Sequence, residues 1–326
     1  MESTLLLIRV KLKMFLNGVR AAKVRNWIKI SILSLIGALF MWGLYALFYR
    51  VLSYLQGVPL LGPIIIVRLI SMIFLLFFAM LIFSNIITAF SSIYFSSDLD
   101  LLLASPLSFR SIFLFKFFET VFYSSWMVLF FLMPVMGAYG QINSTIFLFY
   151  LWILILLVPF FIICASIGIL GSLVLMRIFP TKKTRDIFLV LGITVGASMY
   201  LVVRFLQPEK LANPDVMLGA LQYLASVRAP LVQYTPSYWI TEAIISVVKF
   251  KLGAAFLYLG LLSGSALILL ALTVLVAHKI YYAGWAGAQE GPRKKKIKLK
   301  KTRIITSKAH SPITALFIKD IKIFFR

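Results

Sequence analysis

The sequence predicts an all-α polytopic membrane protein with about six transmembrane helices, and two observations lead to this prediction. Of the 326 residues, 62% are hydrophobic and only 13% are charged, which is too apolar a composition for a water-soluble domain. The charged residues are also clustered and leave long uncharged stretches between them. Because a charge near the bilayer centre costs roughly 2.5 to 3.5 kcal/mol, each uncharged stretch is a candidate span.

The uncharged stretches give the position of each span. A helical span needs about 20 apolar residues, and the stretch between Glu119 and Arg177 is long enough for two, with a turn expected at Gly137, Gly140, Gln141 and Asn143. The expected spans are residues 28–49, 64–91, 117–136, 146–176, 187–206 and 254–277. Between the last two, Asn213-Pro214 and Thr235-Pro236 each predict the start of a short helix in the segment 207–253, because proline is favoured in the first helical turn.

The orientation follows from the basic residues, which remain preferentially on the cytoplasmic side of a membrane. The segment before the first span is rich in Lys and Arg, so we expect it to be cytoplasmic. With six spans, residues 92–116, 177–186 and 278–326 are then cytoplasmic too, and both termini lie inside a cell membrane. The predicted organisation is an amphipathic interfacial helix in 1–27, a six-span domain in 28–278, and a basic linker with an amphipathic tail in 279–326.

The formal net charge of +23 raises the question of nucleic-acid binding. The basic residues lie mainly beside the predicted spans, where each contributes roughly 1 kcal/mol of attraction to anionic lipid headgroups. The densest run, "RKKKIKLKKTR" at 293–303, contains no aromatic residue on which a base could stack. We therefore expect anionic lipids, and no nucleic acid, to be the partner of these charges.

The chain lacks the residue patterns of most catalytic sites. It contains no G-x-x-x-x-G-K-[ST] motif for ATP phosphates, and no His, Asp and Glu set with metal-ligand spacing. Its single cysteine, Cys164, falls within a predicted span. Glu119 lies three residues after Lys116, a spacing that predicts a local ion pair and not a proton relay. We expect no enzyme activity, cofactor or metal in this chain.

The loop "SSDLDLLLASPLSFRSIFLFK" at 96–116 is the most informative segment. Ser97 and Asp100 are spaced as a capping box, Pro106 disfavours helix at the residue before it, and Ser108 can cap a second helix. The pattern predicts a short helix, a break and a longer helix that continues into the third span. The loop holds two of the ten acidic residues of the chain. A protein partner explains this better than anionic lipid does, although an interfacial turn with its leucines in lipid is the simpler alternative.

The same loop resembles the one between the second and third spans of type 2 ATP-binding-cassette (ABC) exporter permeases. In that family an acidic residue, a leucine pair, a Ser/Thr-Pro step and a later Lys recur in this order, although the glycine that often precedes the Lys is Phe115 here. The resemblance implies that the loop is a coupling helix that docks on a separate ATPase subunit, where ATP is bound. The matching partner-coupling residues are Asp98, Asp100, Leu101, Leu102, Ser105, Pro106 and Lys116.

Two further features fit the resemblance. Residues 5–25 match the amphipathic elbow helix that precedes the first span in that family, and six spans is its usual repeat unit. The tail "LFIKDIKIFF" at 316–325 is similar to "LLIRVKLKMF" at 6–15, so it either begins a second six-span half or is a simple amphipathic tail. A homodimer or a second half is implied as partner. A membrane scaffold that does not transport, and an ion-coupled secondary transporter, remain the alternative functions.

Overall fold

The computed structural model describes residues 24–58, 62–94, 98–178 and 234–289, together with Ser96 and single positions within 7–17 and 192–204. The chain divides into two compact units, Met1–Gln289 and Glu290–Arg326. All described residues belong to the first unit, and the basic run 293–303 and the tail 316–325 lie outside the described residues.

The described part of the chain is helical and contains no β-strand. Its helices are α1 (Val24–Gln56), α2 (Gly62–Ala89, continued by one π-helical turn at Phe90–Tyr94), α3 (Leu99–Ala104), α4 (Phe109–Ile142), α5 (Phe147–Ile178), α6 (Pro236–Val248) and α7 (Leu252–Gln289). Among the described residues, five segments are long and apolar enough to cross a membrane: Lys29–Gln56, Gly62–Tyr94, Phe109–Ile142, Phe147–Arg177 and Leu252–Ile280. The protein is therefore an all-α polytopic membrane protein, as the composition predicted.

Each of these five segments corresponds to one predicted span. The predicted span 187–206 lies outside the described residues except for six positions, all of them helical: Gly192, Ile193, Gly196, Ala197, Tyr200 and Arg204. The number six therefore stays a prediction. In the N-terminal segment, residues 7, 9–11, 13, 14 and 17 are helical, and the apolar side chains of Val10 and Met14 are exposed, as expected for a helix that lies on lipid.

The turn between the third and fourth spans begins at Asn143, the last of the four residues predicted for it, and not at Gly137, Gly140 or Gln141. Helix α4 continues through Gly137 and Gly140 to Ile142, and the turn is at Asn143–Thr145, where Ser144 has a φ of 48°. Gly140 leaves room for a neighbouring side chain, because a Cβ at this position would lie 2.6 Å from the Tyr150 hydroxyl. Membrane helices commonly use small residues to let a neighbour approach closely, and here Tyr150 of α5 does so.

The core of the described bundle is formed around α5, which packs against α2, α4, α6 and α7. The α5 side chains Leu156, Phe160, Ile163 and Cys164 are fully buried in it. Helix α1 lies at the edge, mainly against α4, and most of its apolar side chains are exposed. Helix α6 begins with Pro236 after the N-cap Thr235, so the predicted helix start at Thr235-Pro236 is confirmed, whereas Asn213-Pro214 lies outside the described residues.

Helices α2 and α5 approach closely at Gly168. A Cβ at Gly168 would lie 2.5 Å from Cβ of Asn85 and 2.9 Å from the Ile82 carbonyl oxygen. The sequence pairs Gly168 with Ser172 on one small-residue face, and Ser172 is buried as well. A small residue is thus required at Gly168 for the two backbones to meet at this distance.

We expect Gly168→Ala to destabilise the protein by about 1 to 3 kcal/mol, because the added methyl group meets backbone and Cβ atoms that cannot rotate away. Gly171→Ala is the matched control, since its Cβ would meet only Ile86 side-chain atoms at 3.5 Å. Thermal unfolding in detergent measures both variants. Equal melting temperatures for the two would contradict the close approach of α2 and α5.

Candidate functional site

Helix α3 is the short helix that the loop pattern predicted. It contains six residues and ends where Ser105 adopts an extended backbone conformation, with φ −78° and ψ 156°. The Ser105 hydroxyl donates a hydrogen bond to the Leu102 carbonyl, 2.5 Å away. After this break Ser108 is the N-cap of α4, and its hydroxyl accepts a hydrogen bond from the Ser111 backbone N–H. The predicted helix, break and longer helix are therefore confirmed.

The beginning of α3 differs from the predicted capping box. The N-cap residue is Asp98, its side chain makes no capping hydrogen bond, and Ser97 lies outside the described residues. The carboxylate of Asp98 accepts hydrogen bonds from the Ser96 hydroxyl and from the Lys116 ammonium instead. A charged partner competes better for a carboxylate than a backbone N–H does, which explains the difference.

One side of α3 is fixed to the bundle. Leu99 is 1% exposed and belongs to a hydrophobic cluster that includes Phe113 and Phe117 of α4 and Ile93 of the π-helical turn. Burial of a leucine side chain contributes roughly 1.5 to 3 kcal/mol. The short helix is thus held in place by packing, although six residues would be too few to form a stable isolated helix.

The other side of α3 and the break after it are open. Asp100 and Pro106 are exposed, and Leu101 is 76% exposed. Leu102 and Ser105 are partly buried. Of the residues predicted to couple to a partner, the structure therefore places Asp100, Leu101 and Pro106 on the surface, and we call these three the open face of α3.

Lys116 lies beneath α3 and not on its surface, because the residue is only 1% exposed. Its Nζ donates to Oγ of Ser96 at 3.0 Å and to the two carboxylate oxygens of Asp98 at 2.9 and 3.0 Å. A buried ammonium is tolerated only when it is paired and hydrogen-bonded. Any effect of Lys116 on a partner must therefore pass through the residues that it holds.

The pKa of Asp98 reflects these contacts. Burial raises the pKa of its carboxyl, but the hydrogen bonds from Ser96 and Lys116 and the charge of Lys116 lower it more, so the pKa lies below its ordinary value of 3.8. A lowered pKa in the folded state means that the contact stabilises the protein fully above about pH 4 and is lost as the pH falls through the lowered value. The Asp98 contact is therefore intact at neutral pH.

Glu119 adds a second carboxylate to the site. It forms two ion pairs, of which the sequence pattern predicted only one. The predicted ion pair with Lys116 is present, with 3.0 Å between Nζ and Oε2, and the Glu119 side chain is only 8% exposed. Lys11 of the N-terminal segment forms an ion pair with the other carboxylate oxygen of Glu119. Local spacing indicates the first contact but carries no signal for the second, because Lys11 is distant in the sequence.

A line of buried polar side chains continues from Lys116 along the contact between α4 and α2, and sequence reasoning did not find it. Thr120 donates a hydrogen bond to the Ser92 hydroxyl at 3.1 Å, and Ser124 donates one to the amide oxygen of Asn85 at 2.7 Å. Lys116, Thr120 and Ser124 are spaced four residues apart and so share one face of α4. The only available signal was this spacing of polar residues within an apolar helix.

The described residues contain no group of three or more His, Cys, Asp or Glu side chains that could hold a metal ion. The charged site beneath α3 instead contains two ammonium groups and two carboxylates, from Lys11, Lys116, Asp98 and Glu119. This arrangement can fix the relative positions of the segments that carry these charges.

The fold and this site define a membrane-embedded protein with a short, firmly anchored helix, α3, between its second and third described spans, α2 and α4. In a comparison with protein families, the family described as "Putative ATP-binding cassette" matches residues 21–326. The chain therefore belongs to this family. It is a component of an ABC transporter. No curated protein and no solved structure matches the chain.

Proposed function

We propose that this chain is the permease subunit of an ATP-driven exporter and that α3 is the helix through which a separate ATPase subunit acts on it. The observation that carries this proposal is the asymmetry of α3. Its open face offers Asp100, Leu101 and Pro106 to a partner, while Leu99 and Asp98 fix the helix to α4.

The chemistry of the open face favours a protein partner over lipid. Leu101 and Asp100 are adjacent in a helix and differ by about 100° in direction. Placing Leu101 in the acyl region would bring the carboxylate of Asp100 against anionic headgroups, which repel it. A protein groove with an apolar floor and a basic rim accommodates both residues.

The anchoring of α3 suits it to transmit force. A push on the open face reaches α4 through the packed side chain of Leu99 and through the Asp98–Lys116 ion pair. Packed cores and paired charges do not deform continuously, so such a push displaces the joined elements together. In this proposal the end of the bundle that carries α3 is cytoplasmic, and a second six-span unit completes the pathway.

The ATP-binding function belongs to the partner in this proposal. The chain has no Walker A motif, so the phosphates of ATP have no glycine-rich loop to bind in it. The family membership supports a complex of this chain with an ABC ATPase subunit. The open face of α3 supports α3 as the place where the two subunits would meet.

Crosslinking tests the proposal. In a Cys164→Ala background, we expect Leu101→Cys to crosslink to the ABC ATPase subunit encoded nearest to this gene, when both are co-expressed, and the yield to change with ATP. The buried Cys164 is removed to leave a single thiol. The matched control is Leu148→Cys, which is 70% exposed at the start of α5 and should not crosslink.

Absence of a crosslink at Leu101, with a strong one from the basic run 293–303, would instead favour a membrane scaffold. Transport that continues without the ATPase and stops when an ion gradient is removed would favour an ion-coupled carrier.

A further inference from the structure

The ion pair between Lys11 and Glu119 joins the N-terminal helical segment to the site beneath α3. Glu119 lies between two ammonium groups, with Lys116 on one side and Lys11 on the other. The hydrogen bonds of Lys116 are directed to Asp98 and Ser96. The side chain of Glu119 is 8% exposed, whereas that of Lys11 is 42% exposed, so the carboxylate is the buried partner of the pair.

Aromatic rings define where the two ammonium groups lie. Nζ of Lys11 is 5.5 Å from the centre of the Phe115 ring and 5.6 Å from that of Tyr123. Nζ of Lys116 lies 5.7 Å from the same Phe115 ring. All three distances fall within the range of cation–π attraction. The position of Lys11 is thus determined by a carboxylate and two rings of α4, which is more than an incidental surface contact provides.

Four charged side chains of opposite sign connect α3, α4 and the N-terminal helical segment. Two ammonium groups and two carboxylates share the site, so the removal of any one leaves the site with an unbalanced charge near buried side chains. The ionic contact that holds α3 involves only Asp98 and Lys116. The additional pair, Glu119 with Lys11, extends the network to a third part of the chain, and docking of a partner on the open face of α3 does not by itself require it.

We propose that Glu119 is a positioning residue that ties the N-terminal helical segment to α3 by way of Lys11 and Lys116, so that the two move together when the ATPase acts. This inference rests on the proposed function. It assigns to Glu119 a role that its local spacing to Lys116 does not suggest. It also gives the N-terminal segment a part in coupling in addition to lying on lipid.

A distance measurement within this chain alone tests the tie. Spin labels are placed at Met14→Cys and Leu101→Cys in the Cys164→Ala background, since Met14 and Leu101 are 69% and 76% exposed. Pulsed electron paramagnetic resonance in lipid nanodiscs then gives the distribution of distances between the labels. We expect a narrow distribution for this labelled protein and a broadened one for Glu119→Gln and for Lys11→Gln.

Two further variants separate positioning from general damage to the fold. Lys13→Gln removes a neighbouring exposed lysine of the same segment and should leave the distribution narrow. Lys11→Arg keeps the charge and should also leave it narrow. A narrow distribution in both Glu119→Gln and Lys11→Gln overturns the inference.

The outcome is distinguishable from failure of the proposed function, because the label experiment contains no ATPase. A missing crosslink at Leu101 would overturn the proposed function and leave the measured tie intact. If the crosslink forms, Glu119→Gln should reduce the stimulation of the ATPase by the permease, and Lys11→Arg should not. Full stimulation in a Glu119→Gln protein with a broadened distribution would overturn the role in coupling.

Discussion

Lys116→Met is expected to destabilise the protein by about 3 kcal/mol, at the lower end of the roughly 3 to 5 kcal/mol lost when one partner of a buried ion pair is removed. Methionine fills a similar volume, so the loss is electrostatic. The destabilisation should be at the lower end of this range for two reasons. The Asp98 side chain is 44% exposed and can be solvated, and Glu119 keeps its contact with Lys11.

A double-mutant cycle in detergent measures this effect. Asp98→Asn with Lys116→Met removes both members of the pair, and we expect this double variant to be more stable than the sum of the two single losses by about 1 to 3 kcal/mol. Arg110→Met deletes an exposed cation of the same helix and should leave the melting temperature nearly unchanged. Additive losses from Asp98→Asn and Lys116→Met would show that the two residues do not interact.

Much of the fold could be predicted because membrane insertion makes charge and hydropathy informative. The gaps between charged residues located each described span, since a single misplaced charge costs kilocalories. The C-terminal end of α3 and the start of α4 followed from Pro106 and Ser108, whose effects on the backbone are local. The turn predicted at Gly137 and Gly140 was wrong because the local sequence does not show which neighbouring side chain a glycine accommodates. In a membrane helix, a glycine can serve the approach of a neighbour, here Tyr150, which is a tertiary fact.

The candidate site could be predicted only in part for the same reason. Asp100, Leu101 and Pro106 were found as a motif, and they are exposed as a docking surface requires. The motif placed Lys116 beside them, but motif spacing contains no information about burial. The contact between Lys116 and Asp98 spans 18 positions, and that between Glu119 and Lys11 spans most of the first third of the chain. Neither belongs to a helix periodicity from which it could be inferred.

The burial of Lys116 separates the motif residues into two groups, those that anchor α3 and those that face outward. Asp98 and Lys116 face each other and hold α3, whereas Asp100 is the acidic residue that faces outward. The polar contacts of Thr120 with Ser92 and of Ser124 with Asn85 then join α4 to α2 along the same line. Changes at Asp98 should therefore affect stability and coupling together, and changes at Asp100 should affect coupling alone.

Asp100→Lys is expected to abolish the stimulation of the ATPase subunit while leaving insertion and melting temperature unchanged. Surface substitutions usually alter stability by no more than about 0.5 kcal/mol. At a docked interface, however, a reversed charge opposes the basic rim of the groove that we propose, and like charges there cost several kcal/mol. Several kcal/mol corresponds to a loss of binding affinity of at least about a hundredfold.

Graded variants make the result specific to the charge at this position. Asp100→Asn removes the charge without reversing it and should weaken stimulation less than Asp100→Lys does. Gln141→Lys introduces a positive charge on the exposed far end of α4 and should have no effect. Full stimulation by Asp100→Lys would exclude the open face of α3 as the docking surface, because an acidic residue beside an exposed leucine cannot lie within a contact and tolerate reversal of its charge.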